Sequence, residues 1–167
     1  MLNRIKKQFP AINRTTWILA LGRLLSSIGT GFVLFYASIF FVNQVGLSAT
    51  LVGIGVGSGQ VAGVLGRFLG GVFTDNKSWG RRRTLLLSAA VSVLADVVLA
   101  LTYNFPTLLA GNLLMGFGVG LYWPATEAVI ADITGPEDRN EAFAVTRVAD
   151  SLGLGVGVVL GGLIIST

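Results

Sequence analysis

Five stretches of the chain stay apolar for long enough to cross a bilayer. A hydrocarbon core about 30 Å thick takes roughly 20 apolar residues of a helix that rises about 1.5 Å per residue. Residues 16–42, 48–74, 84–103, 106–133 and 140–166 each reach that length, with isolated charges such as Arg23 and Asp96 inside them. Ser48 stands where a side-chain oxygen caps a second helix, and Pro106 suits the first turn of a fourth. The pattern predicts an all-α membrane protein, with a cytoplasmic N-terminal segment over 1–15 and a transmembrane bundle of five helices over 16–167.

The basic residues orient these helices. Arg4, Lys6, Lys7 and Arg14 precede the first stretch; Lys77, Arg81, Arg82 and Arg83 join the second to the third; Arg139 joins the fourth to the fifth. The other two links, 43–46 and 104–105, carry no charge. The positive-inside rule then predicts a multi-pass protein of the plasma (inner) membrane with a cytoplasmic N-terminus, and five crossings put the C-terminus outside. The first apolar run has full spanning length and no small-residue cleavage site, so it reads as a span rather than a signal peptide.

Composition agrees with that reading. Of 167 residues, 53% are hydrophobic and 12% charged, against about 25% charged in an ordinary soluble domain. The net charge of +4 therefore reads as topology and contact with the lipid bilayer, not as a nucleic-acid surface. The chain has no Cys and no His, which excludes disulfides, thiol chemistry, imidazole bases and most zinc sites. No phosphate loop, catalytic carboxylate pair or nucleophile–base set is present in the sequence. Neither an enzyme, a metal nor a cofactor is expected.

The chain also repeats itself. Gly22, Gly29 and Gly31 in the first span are spaced like Gly111, Gly118 and Gly120 in the fourth, each set opening on a Gly-x-Leu-Leu run. Gly66, Gly70 and Gly71 in the second are spaced like Gly157, Gly161 and Gly162 in the fifth. Copies three spans apart cross in opposite directions, which is the inverted-topology repeat of many secondary transporters. Gly53, Gly57, Gly59, Gly63, Gly66 and Gly70 further give the second span faces on which another backbone can approach closely.

The link between the second and third spans runs Gly71, three residues, Asp75, a short gap, then Gly80, Arg81, Arg82 and Arg83. It resembles the cytoplasmic signature of the major facilitator superfamily. Gly116, Gly118, Gly120, Pro124 and Asp132 in the fourth span resemble a second motif of that family, and Gly153, Gly157, Gly161 and Gly162 its antiporter glycine series. Three departures stand out. The gap before Gly80 is two residues longer than the family's, Asn112 stands where many drug–proton antiporters carry arginine, and Val158 replaces the motif's proline.

The resemblance implies the N-terminal part of a transporter: an incomplete six-helix bundle that moves a small solute or drug by alternating access, coupled to protons. It implies a C-terminal half beyond this chain as partner, and that the chain alone inserts but accumulates no solute. A non-transporting truncated protein or interaction subunit, and a self-assembling half-transporter, are the alternatives. In the family Gly71, Asp75, Gly80, Arg81 and Asp132 brace a cytoplasmic gate, with Arg82 as a substitute for Arg81. Tyr36, Asn112, Tyr122 and Trp123 would line the substrate cavity, or pack and anchor as aromatics commonly do.

Charges inside the bilayer cost several kcal/mol or more and call for partners. Asp96, about 18 Å along its span from Thr84, is either a proton-coupling acid or an interhelical hydrogen-bonding group. Arg23, Arg67, Glu127, Arg147 and Asp150 lie two to three turns from the cytoplasmic ends. The family's helix neighbours imply Arg23 with Asp150 and Arg67 with Glu127. Arg147 with Asp150 at i,i+3 and snorkelling of the arginines are the rival arrangements.

Topology yields the first prediction. Asn104→Cys should react with an impermeant thiol reagent in intact cells, and Ser78→Cys only after permeabilisation. The absence of native Cys makes both signals unambiguous. Labelling of Asn104→Cys only after permeabilisation would invert the topology.

Overall fold

A computed structural model describes residues 13–166, with side chains from 13 to 164. Arg4, Lys6, Lys7 and most of the 1–15 segment lie outside the described residues. The described residues form α1 (Arg14–Asn43), α2 (Ala49–Asp75), α3 (Gly80–Ala100), α4 (Phe105–Ile133) and α5 (Arg139–Ser166). All five are long and apolar enough to span a bilayer. Large apolar side chains such as Val61, Phe68, Leu86, Val93, Leu152 and Ile164 point outward, the surface that lipid requires and water would penalise.

Local chemistry sets the helix ends. The Ser48 hydroxyl accepts from the Leu51 N–H at 3.3 Å and caps α2. Asn104 does the same for α4, its Oδ1 accepting from Thr107 N–H at 3.0 Å. The third helix departs from expectation: it begins at Gly80 rather than Thr84 and stops at Ala100. Gly80 has φ +74°, a conformation that costs a non-glycine residue, and this turn lets Arg81, Arg82 and Arg83 enter the helix directly. Arg83 returns Nη1 to the Ser78 carbonyl at 2.8 Å.

The chain divides into two compact units. One comprises the described residues up to Tyr36 and those from Ile130 onward; the other is Ala37–Val129. In the first, α1 and α5 meet at glycine. A Cβ added to Gly153 would lie 2.8 Å from Ser27 Cβ, and one on Gly157 would strike the Ile28 carbonyl and lie 3.0 Å from Gly31 Cα. Gly161 faces Phe32 and Phe35. The contacts advance together along both helices, so the two run parallel.

In the second unit, α2 and α4 also run parallel and also meet at glycine. A Cβ on Gly59 would lie 2.8 Å from the Asn112 carbonyl; one on Gly66 would strike the Phe117 carbonyl and lie 3.0 Å from Gly120 Cα. Gly70 faces Leu121 and Pro124. A different seam joins α3 to α4, where Ser88 Oγ donates to the Gly118 carbonyl at 2.8 Å and Leu99 fills the space over Gly111. Phe41, Val52 and Leu108 form this unit's buried apolar cluster.

The two glycine seams are copies of each other. Under the repeat, Gly31 corresponds to Gly120, Ile28 to Phe117, Phe32 to Leu121, Phe35 to Pro124, Gly157 to Gly66 and Gly161 to Gly70. The contacts of Gly157 and Gly161 with α1 then have their counterparts in those of Gly66 and Gly70 with α4, down to the glycine facing glycine. The sequence repeat is a structural repeat.

Packing yields the second prediction. Gly116→Ala would drive a methyl into the Gly59 backbone, whereas nothing lies within 4 Å of a methyl at Gly57. Thermal unfolding in detergent should show Gly116→Ala destabilised by about 2 kcal/mol and Gly57→Ala close to wild type. Equal stability of the two variants would refute the α2/α4 seam.

Candidate functional site

Within the first unit, the α1/α5 seam brings together Arg23 and Asp150. Arg23 lies about 14 Å along α1 from Arg14, and Asp150 about 16 Å along α5 from Arg139, depths that belong to the apolar part of both spans. Arg23 is only 3% exposed and Asp150 21%. The guanidinium binds side-on: Nε donates to Oδ1 at 3.0 Å and Nη2 to Oδ2. Ser27, one turn beyond Arg23, adds its hydroxyl to Oδ1 at 3.3 Å.

The bidentate fork explains why arginine serves here. Two parallel N–H···O bonds hold the carboxylate plane, and desolvation is offset only when geometry and extra donors are this complete. Helix packing makes the approach possible, because Gly153 lies against Leu24 and Ser27 immediately beside the pair. Removing either charge strands the other in a low-dielectric seam, at a cost of about 3–5 kcal/mol. Removing both leaves an apolar contact.

Other expected members fall elsewhere. Arg67 and Glu127 share the second unit, but both are exposed and no ion pair joins them among the described residues. They stand on outward faces of α2 and α4, so the expected pairing is corrected. Arg147 is exposed on α5 and forms no ion pair with Asp150 among the described residues.

Asp96 is corrected on two counts. It lies about 6 Å short of the end of α3 at Ala100, so it is not deep in its span. It is exposed beside Val93, Leu94 and Val97 and makes no interhelical hydrogen bond among the described residues.

In the second unit Asp75, Gly80 and Arg81 line one open cleft at the α2–α3 turn, with Arg82 exposed beside it and Gly71 one turn back on α2. Asp75 pairs with no cation among the described residues. Asp132 belongs to the first unit, at the end of α4. Of the aromatic candidates, Tyr36 stacks on Phe32 at 5.8 Å, and Tyr122 meets Trp123 edge-on at 6.0 Å. Asn112 spends its amide on the Leu108 carbonyl of its own helix at 2.9 Å. Among the described residues no acid cluster is placed to hold a metal.

Sequence reasoning missed Ser27 as the third member of the polar site, and the repeat contained the clue. In its register Arg23 corresponds to Asn112 and Asp150 to Gly59. The same place in the α2/α4 seam is thus an ordinary glycine contact, where a Cβ added to Gly59 would lie 2.8 Å from the Asn112 carbonyl. One seam is purely packing; its copy carries a buried charge pair.

Known proteins resemble this chain in sequence over most of its length. The Major Facilitator Superfamily profile matches residues 19–167. An uncharacterized MFS-type transporter, YttB of Bacillus subtilis, is 28% identical over 92% of this chain and 38% of its own length. The Na(+), Li(+), K(+)/H(+) antiporter of Planococcus maritimus is 28% identical over 91% of this chain and 36% of its own. The proton myo-inositol cotransporter of Homo sapiens is 34% identical over 77% of this chain and 19% of its own. The chain thus spans less than two fifths of the length of these relatives. With a profile match from the first span to the last residue, on five helices apolar and long enough to span a membrane, the chain belongs to the Major Facilitator Superfamily of integral membrane transporters.

Proposed function

We propose that this bundle is the N-terminal part of a proton-coupled secondary transporter of small solutes, and that Asp150 is its proton-responsive group. The observation that carries the reading is the buried side-on pair of Arg23 with Asp150, joined by Ser27, in a glycine-packed seam between two spans. Ionised, Asp150 holds α1 to α5. Protonated, it loses its charge and its hold on the fork weakens, and the seam is free to shift. Two relatives whose names state proton coupling, one an antiporter and one a cotransporter, support the coupling ion. A C-terminal half would supply the second wall of the pathway, in keeping with relatives well over twice as long. Alternating access would follow from the two walls rocking about a midplane site.

The test uses everted membrane vesicles holding the full transporter that carries this bundle, with a pH-sensitive dye reporting proton movement. Na+, K+, myo-inositol and ethidium serve as probes of the solute classes. We expect one class to draw proton flux, and Asp150→Asn to cut that flux at least about tenfold, within the range of a 1–3 kcal/mol coupling. Binding or exchange of the same solute should survive. Undiminished proton flux in Asp150→Asn would remove the residue from coupling, and proton-independent transport would remove the coupling itself.

A further inference from the structure

Gly111 and Gly118 give α4 a second glycine face, and α3 covers it. A Cβ added to Gly118 would lie 2.7 Å from Ser92 Oγ and 3.2 Å from Ser92 N; one on Gly111 would lie 2.6 Å from Leu99 Cδ2. Both glycines are buried, and Ser88 closes the seam by donating to the Gly118 carbonyl. The contacts advance in opposite directions along the two helices, so α3 and α4 run antiparallel.

In the repeat register the same face of α1 carries Gly22 and Gly29. Both are exposed, and nothing lies within 4 Å of a Cβ added to either. Their neighbours differ in the same sense: Ile18 and Leu25 are 62% and 61% exposed, whereas the corresponding Thr107 and Leu114 are half-buried. Open glycine alone would not single out this face, since Gly53 and Gly57 on α2 are equally open. Its copy on α4, already holding a helix, does.

We propose that the Gly22–Gly29 face of α1 docks a transmembrane helix of the longer transporter, one that runs antiparallel to α1 and has the chemistry of α3. Its hydroxyl side chain would donate to the Gly29 carbonyl, as Ser88 does to Gly118, and a large aliphatic side chain would cover Gly22, as Leu99 covers Gly111. Close backbone approach at glycine and a hydroxyl across the seam are what hold helices together in lipid. The proposal rests on the reading of this chain as the N-terminal part of a longer transporter. A second copy does not supply the occupant, because its α3 already lays Ser88, Ser92 and Leu99 against its own α4.

The test compares thermal unfolding in detergent of this chain and of the full transporter that carries it. In this chain Gly22→Ala and Gly29→Ala should leave the midpoint unchanged or raise it slightly, since alanine favours a helix over glycine. In the full transporter Gly29→Ala should lower it by about 5 °C. Gly22→Ala should lower it less, because the end of a leucine turns aside where backbone cannot. Gly118→Ala should lower the midpoint in both proteins. The change of sign at Gly29 is one that a merely fragile helix does not produce. A Gly29→Ala full transporter as stable as wild type would overturn the proposal; the midpoint needs no solute or proton gradient, so this outcome is separate from the flux result at Asp150. Leu25→Cys, placed in a full transporter free of other cysteines and oxidised in the membrane, should remain monomeric. A disulfide-linked pair would put a second copy on the face and overturn the proposal as well.

Discussion

Apolar side chains gain nothing by leaving lipid for one another, so helices in a bilayer must be held by close backbone contact and by polar groups. Everything described for this chain depends on that constraint. In each unit two parallel helices approach at glycine, with Gly157 against Gly31 in one and Gly66 against Gly120 in the other. A single methyl at these points meets backbone, which cannot rotate away. The same closeness admits the short side-chain geometry of Arg23 with Asp150, since a wider seam would leave both charges facing hydrocarbon.

The repeat shows what was added to this framework. Its two copies agree at glycine, at the carbonyls that glycine faces, and at the residues one turn further on. They differ where Arg23 and Asp150 replace Asn112 and Gly59. Packing is shared, and charge is confined to one copy. A seam that holds only by packing has one resting state. A seam that also holds by a salt bridge loses that hold when either charge is removed.

Much of this was legible in the sequence. Five spans followed from uninterrupted apolar length, and the α2 start followed from Ser48. The glycine spacings carried the repeat, and the family's helix neighbours carried the pairing of Arg23 with Asp150. The start of α3 was not legible, because a single positive-φ glycine let three arginines join the helix that their charge had seemed to exclude. Arg67 and Glu127 were matched by depth alone, and depth does not say which way a side chain faces. Asp96 was judged central because the apolar run continues past Ala100, whereas the helix stops there.

The central claim is that Arg23 and Asp150 stabilise each other across the α1/α5 seam. A double-mutant cycle in detergent measures it directly. Arg23→Met and Asp150→Leu alone should each cost about 3–5 kcal/mol, and the double variant should recover most of that loss, because two apolar side chains leave no stranded charge. Single variants as stable as the wild type, or a double variant whose loss is the sum of the two, would contradict the account.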